Sequence, residues 1–229
     1  MLELYDLAGR DEAVRFSPFC WRTKLALDYK GLPFRTVPWR FTEKEVIAFS
    51  GHGSVPVLRD GDNVVADSWL IAEYIDNAYP GAPALFADRQ SKVLARFVNE
   101  WTNAVLNPAI RAIILPDIVS LLHEKDVEYF VESRERRFGN KIEEYMTRRS
   151  DYLTNLAVCL APLRTLLAKQ CYLGGDCPSY ADHIVASAFI WAKICCPERF
   201  WDEGDVIGRW FARFSREAAR ALSDVQFRW

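Results

Sequence analysis

The sequence predicts a mixed α+β segment over residues 1–79 and an all-helical remainder over residues 88–229. Two observations carry this. The first stretch alternates short strand patterns with helical ones and is punctuated by turn residues. Beyond the Pro- and Gly-rich run Ala78–Ala87 (AYPGAPALFA), every periodic segment is helical, so residues 80–87 read as a linker. A chain of 229 residues is long enough for two such domains.

The elements follow in order. Leu2–Tyr5 alternates apolar and polar residues, as a half-buried strand does. Trp21, Leu25, Ala26 and Leu27 recur at helical spacing, and Lys30-Gly31 stops that helix. Phe34–Val37 is a second strand. Thr42 begins a short helix, with Glu45 placed as its capping-box partner. Val55–Leu58 and Asn63–Ala66, separated by Arg59-Asp60-Gly61-Asp62, form a hairpin. Asp67-Ser68 caps a helix that runs through Asn77. The order β-α-β-α-β-β-α packs most simply as a four-stranded mixed sheet with helices, a thioredoxin-like layer. The helical part is expected over 88–115, 125–148 and 151–169, then after Ser179 and after Gly204, with a kink at Pro108.

Composition narrows the function. Lys+Arg 29 against Asp+Glu 31 leaves a net charge of −2, without the basic excess of a nucleic-acid binder. No apolar run approaches the roughly 18 residues of a membrane span, and Met1–Asp6 reads as a strand rather than a signal peptide. Six cysteines without a Cys-x-x-Cys pair, and only three histidines, point to no metal site and a reduced, cytoplasmic protein. Cys195 and Cys196 read as small core hydrophobes.

The chemistry concentrates in Ser17-Pro18-Phe19-Cys20. This has the shape of a redox Cys-x-x-Cys turn with serine at the nucleophile position. Ser17 caps the helix, with Pro18 at its first position, where a missing N–H costs nothing. The same geometry serves a second purpose. A helix N-terminus and a hydroxyl donor stabilise a thiolate supplied by a ligand. A free thiol with a pKa near 8.5 is only about 3% ionised at pH 7, and lowering that pKa to about 6.5 takes roughly 2.7 kcal/mol. One charge-assisted hydrogen bond plus the helix dipole is of that size.

Val55-Pro56 opens the hairpin with a residue that cannot donate a ladder bond. It reads either as a strand-edge proline or as a cis turn that frees the Val55 N–H and C=O to pair with an extended peptide ligand. Asp67-Ser68 caps its helix and could also receive a ligand carboxylate on Ser68 and an ammonium on Asp67. Such a clamp suits a γ-glutamyl group.

These residues carry a resemblance. Ser17–Arg22, Val55–Leu58 and Asp67–Ile75 are similar in order and spacing to the glutathione transferases, and Leu173–Asp176 followed by Ser179–Asp182 resembles the family's later capping box. The serine followed by Pro-x-x-Trp-Arg-Thr-Lys looks closest to the bacterial β-aryl-etherase-like group. The resemblance implies the glutathione transferase architecture, glutathione as cosubstrate, a homodimer, and attack on an apolar aromatic electrophile by substitution or ether cleavage. It implies Ser17 as donor to the glutathione sulfur, Val55 as partner of its cysteinyl backbone, and Asp67 and Ser68 as holders of its γ-glutamyl end. Phe41–Ser54 lacks the Asn-Pro that many members carry, so Arg40, Lys44 and His52 stand as candidates for the glycyl carboxylate. Phe97, Trp101 and Val105 form a stripe that either packs in the core or faces the electrophile; Asn103, Asn107 and Arg111 lie on another face of the same helix.

Three other functions stay open at this point: a non-catalytic carrier of apolar ligands, a glutathione-dependent thiol reductase using Cys20, and an interaction module. Cys20 reads as buried against the sheet, and His183, beside Asp182, as a packed histidine.

Overall fold

The computed structural model describes all 229 residues. Strand β1 (Leu2–Leu7), helix α1 (Pro18–Tyr29), strand β2 (Phe34–Trp39), a 3₁₀ helix (Lys44–Ser50), the hairpin β3 (Val57–Asp60) and β4 (Asn63–Ala66), and helix α2 (Ser68–Ala78) make the first layer. The sheet order is β2-β1-β3-β4, with β1 and β2 parallel and the other pairs antiparallel. Pro38 is tolerated in β2 because β2 is an edge strand. This is the expected mixed sheet and thioredoxin-like layer.

The helix expected at Thr42 takes a different form. The segment is a 3₁₀ turn that begins at Lys44, and no capping box forms with Glu45. The Thr42 N–H and hydroxyl instead donate to Asp126 at 3.0 and 2.7 Å, a carboxylate far along the chain. Local capping chemistry loses here to a tertiary bond.

The helical part comprises α3 (Arg89–Trp101), α4 (Asn107–Val119), α5 (Glu124–Phe138), α6 (Ile142–Thr147), α7 (Arg149–Cys159), α8 (Ala161–Leu167), α9 (Tyr180–Cys195), α10 (Val206–Glu217) and α11 (Ala219–Leu222). A π-helical turn, Thr102–Leu106, joins α3 to α4. Gly139, at φ 80°, ends α5 and divides the expected 125–148 segment. Pro162 starts α8 and divides the expected 151–169 segment.

Helix α9 is buried along its whole length and forms the axis of the helical part. Its start is fixed by the expected capping box: Asp182 accepts from the Ser179 N–H at 2.9 Å. Asp182 also accepts from the Leu173 N–H and the Trp210 indole, both at 2.8 Å. Gly174 is required beside it, because a Cβ there would stand 2.7 Å from Cβ of Ser179. One continuous apolar core runs through the sheet layer and the helices. Polar bonds cross the same boundary, including the Tyr180 hydroxyl to the Ser68 carbonyl at 3.1 Å. No helix is long and apolar enough to cross a membrane.

Candidate active site

Ser17 is the N-cap of α1, with extended backbone (φ −76°, ψ 124°) and Pro18 directly after it. Its Oγ accepts the Cys20 N–H at 3.3 Å, so the cap is formed, and the hydroxyl makes no further hydrogen bond within the chain. The side chain is buried but borders a cavity of about 460 Å³ between the sheet layer and the helices. That is a size suited to a small ligand.

Val55 borders the same cavity. The Val55–Pro56 bond is cis, and neither the N–H nor the C=O of Val55 has a hydrogen-bond partner in the chain. The next carbonyl, of Pro56, accepts the Asp67 N–H at 3.3 Å, which places the start of α2 against this free edge. Asp67 has φ 80°, the one non-glycine residue in the left-handed region. Such a conformation costs about 1–3 kcal/mol and persists where the surroundings enforce it. Here Asp67 Oδ1 accepts from the N–H groups of Trp69 (2.9 Å) and Leu70 (3.1 Å). Ser68 is buried beneath Tyr180. Asp67 and Ser68 do not border the cavity itself; they adjoin it through the Pro56 contact.

The three candidates for a terminal carboxylate separate cleanly. Lys44 borders the cavity, its Nζ donating to the Gly53 carbonyl at 2.7 Å. Arg40 is engaged elsewhere, by Glu43, the Gly9 carbonyl and Glu12. His52 is exposed and lies outside the cavity lining.

The aromatic stripe lies away from this cavity. Phe97, Trp101 and Val105 do not line the cavity, and Phe97 is 69% exposed. The lining comes from the other face, through Asn103, Asn107 and Arg111, and from Tyr129, Phe130 and Phe138 of α5. The stripe and the lining residues therefore lie on different sides of the same pair of helices: Phe97 and Trp101 precede the π turn at 102–106, and Asn103, Asn107 and Arg111, four apart, face the cavity across it.

Arg22, the last residue of the Ser17–Arg22 motif, takes a positioning role. It is 1% exposed and donates to Asn99 at 2.6 Å and to Asn103 at 2.9 Å, bolting α1 to the segment that borders the cavity. Burial pulls its guanidinium down to about 10.

Cys20 is fully buried with its sulfur 4.0 Å from the Tyr5 carbonyl. Burial, and then the charge of Asp6, push its thiol well above the ordinary range. It is a packing residue and supplies no accessible thiolate. His183 is likewise buried, ringed by Tyr29, Tyr180 and Phe214. A larger hollow, about 700 Å³, lies between α1 and the C-terminal tail and contains none of Ser17, Val55, Asp67 or Ser68.

A capped helix start and a free peptide edge thus border one end of a cavity between the sheet layer and the helices, and an acidic cap adjoins the edge. Comparison with known proteins decides what family builds this. The glutathione S-transferase N-terminal domain profile matches residues 16–78, and the C-terminal domain profile of the same name matches residues 93–216. The chain belongs to the glutathione S-transferase family. Among curated relatives, glutathione S-transferase U1 of Arabidopsis thaliana is 33% identical over 99 residues, 40% of this chain and 44% of that protein. The chain spans about half the length of the curated relatives it matches, from 44% to 62% for the first four.

Among solved structures, glutathione transferase GSTFuA3 from Phanerochaete chrysosporium superposes with a TM-score of 0.81 at 25% identity, covering 98% of this chain and 97% of its own. The glutathione S-transferase CsGST63524 of Ceriporiopsis subvermispora, solved in complex with glutathione, superposes with a TM-score of 0.83 at 24% identity, covering 94% and 96%. Within the glutathione S-transferase architecture, the cavity of this chain lies where the sheet layer meets the helices, bordered by Ser17 and Val55 on one side and by α4 and α5 on the other.

Proposed function

We propose that this chain binds glutathione and adds its thiolate to an electrophilic carbon of an aromatic substrate. Ser17 donates its free hydroxyl proton to the glutathione sulfur, at the positive end of α1. The unpaired N–H and C=O of Val55 receive the cysteinyl backbone as an added strand. Asp67 and Ser68 hold the γ-glutamyl end, and Lys44 receives the glycyl carboxylate. The observation that carries the reading is the coincidence, on one cavity, of a serine cap with a spare proton and a peptide edge with two spare backbone groups. Thiolate stabilisation and proximity together supply the rate gain.

The substrate-side reading is that of the β-aryl-etherase-like group, with displacement at an ether or other activated carbon. We assign glutathione binding to residues 1–79, linkage to 80–87 and the electrophile wall to 88–229. The protein acts in the cytoplasm as a homodimer. The exposed apolar residues Val93 and Phe97 of α3 and Leu70 of α2 support that pairing, since the Lys92–Glu73 ion pair (2.8 Å) sets these two helices side by side. A structure with glutathione bound tests the site. Its sulfur should lie within hydrogen-bond distance of Ser17 Oγ and its cysteinyl amide against Val55; a sulfur held elsewhere would remove Ser17 from the chemistry.

A further inference from the structure

We infer that the second substrate is an aromatic acid, its carboxylate bound by Arg111, Arg134 and Arg137. This deepens the reading above and rests on it for the location of the electrophile.

The cavity lining contains these three arginines, from α4 and α5, and no Asp or Glu at all. None of the three forms an ion pair, although arginines elsewhere in the chain commonly do. Instead they lie on rings. Arg111 sits 3.9 Å and Arg137 5.5 Å from the centre of the Phe138 ring, and Arg134 sits 4.6 Å from Phe130 and 4.8 Å from Phe41. Stacking fixes each guanidinium plane and leaves its N–H edge to donate. Only one side-chain hydrogen bond is made by the three, from Arg134 to Ser133 at 2.9 Å.

Three like charges held together at the wall of a cavity, without a counter-ion, repel one another. Burial, and the neighbouring arginines, lower the affinity of Arg111 and Arg134 for their protons. An anion in the cavity relieves both costs, and a guanidinium fork matches two carboxylate oxygens.

An independent observation points the same way. Asn107 is 7% exposed and borders the cavity, and neither its amide nitrogen nor its carbonyl oxygen has a hydrogen-bond partner. Buried amides are rarely left so. It follows directly on the π turn, a device common at functional sites. The surrounding walls are aromatic, through Tyr129, Phe130 and Phe138. The complement of such a site is a ring bearing an acid group and a further polar atom. Glutathione also carries carboxylates, so the test must separate the two sources.

The experiment titrates the protein with p-nitrobenzoate and with its neutral counterpart p-nitrobenzamide, following the fluorescence of the cavity tryptophans. It is run with and without saturating glutathione, for the native chain and for Arg137→Gln and Arg134→Gln. We expect the benzoate to bind at least about tenfold more tightly, a difference of about 1.4 kcal/mol. That preference should persist with glutathione bound and shrink at high salt. In the glutamine variants the ratio should fall toward one, and Arg134→Lys should restore part of it. Equal binding of the two probes, a ratio unchanged in the glutamine variants, or displacement of the benzoate by glutathione would each overturn the inference. Should a glutamine variant not fold, the native ratio and its salt dependence decide. Glutathione binding is measured separately by calorimetry. A benzoate preference without glutathione binding would sink the proposed function alone, and glutathione binding without the preference would sink this inference alone.

Discussion

The Pro56 carbonyl accepts the Asp67 backbone N–H at 3.3 Å, joining the free peptide edge at Val55 to the start of α2. Two features that are far apart in chemistry, a strand edge and an acidic helix cap, are therefore tied together. Asp67 can hold φ 80° because this bond fixes its nitrogen while its carboxylate caps Trp69 and Leu70.

Asp67→Ala removes the cap while the backbone strain, already borne by the native residue, stays. Loss of a cap costs about 1 kcal/mol. Denaturant unfolding should show a loss of about 1 kcal/mol, with Asp67→Asn close to the native chain. A midpoint unchanged in Asp67→Ala would mean that the cap carries no stability.

Asp182 is fully buried and accepts from the Leu173 and Ser179 backbones and the Trp210 indole. Replacing it with alanine leaves several buried donors without an acceptor, each costing about 1–3 kcal/mol. Asp182→Ala should lose more than about 3 kcal/mol in equilibrium unfolding. A loss below about 1 kcal/mol would show that water replaces the carboxylate.

His183 gives a pH signature. Its burial among three rings lowers the imidazole pKa from 6.5 to about 3. Between those values the unfolded chain binds a proton that the native chain refuses, so stability falls as pH drops below 6.5 and is unaffected by this group above it. The loss reaches about 2 kcal/mol by pH 5. Unfolding free energies measured from pH 7 to pH 5 should therefore fall more steeply for the native chain than for His183→Gln. Parallel curves would contradict the assignment.

Phe97, at 69% exposure on α3, stands with Val93 and Leu70 on the face proposed to pair two copies. Phe97→Asp should halve the mass seen by light scattering if this face pairs two copies. A native chain that is already monomeric at working concentration would refute the proposed homodimer.

Much of the architecture was legible because its signals are local. The hairpin at residues 57–66, the Asp67 cap and the Ser179–Asp182 box depend on neighbours within a few positions, and each appears where its pattern placed it. What stayed hidden depends on distant partners or on phase. Thr42 gives its hydroxyl to Asp126 rather than to its own helix. Which side of α3 and α4 faces the cavity has no local pattern either: Asn107 and Arg111, not Phe97 or Trp101, border it. Arg134 and Arg137 sit in an arginine-rich run that reads alike whether it faces solvent or a cavity. Of the site, Ser17 and Val55 could be named from sequence, whereas the wall opposite them needed the packing of α4 and α5.

The role proposed for Ser17 is to stabilise a thiolate it does not itself supply. Ultraviolet titration of the thiolate of bound glutathione in the native chain and in Ser17→Ala tests it directly. The thiolate pKa should lie near 6.5 in the native complex, roughly two units below a free thiol, and rise by at least about one unit in Ser17→Ala with glutathione still bound. An identical thiolate pKa in the two proteins would contradict it.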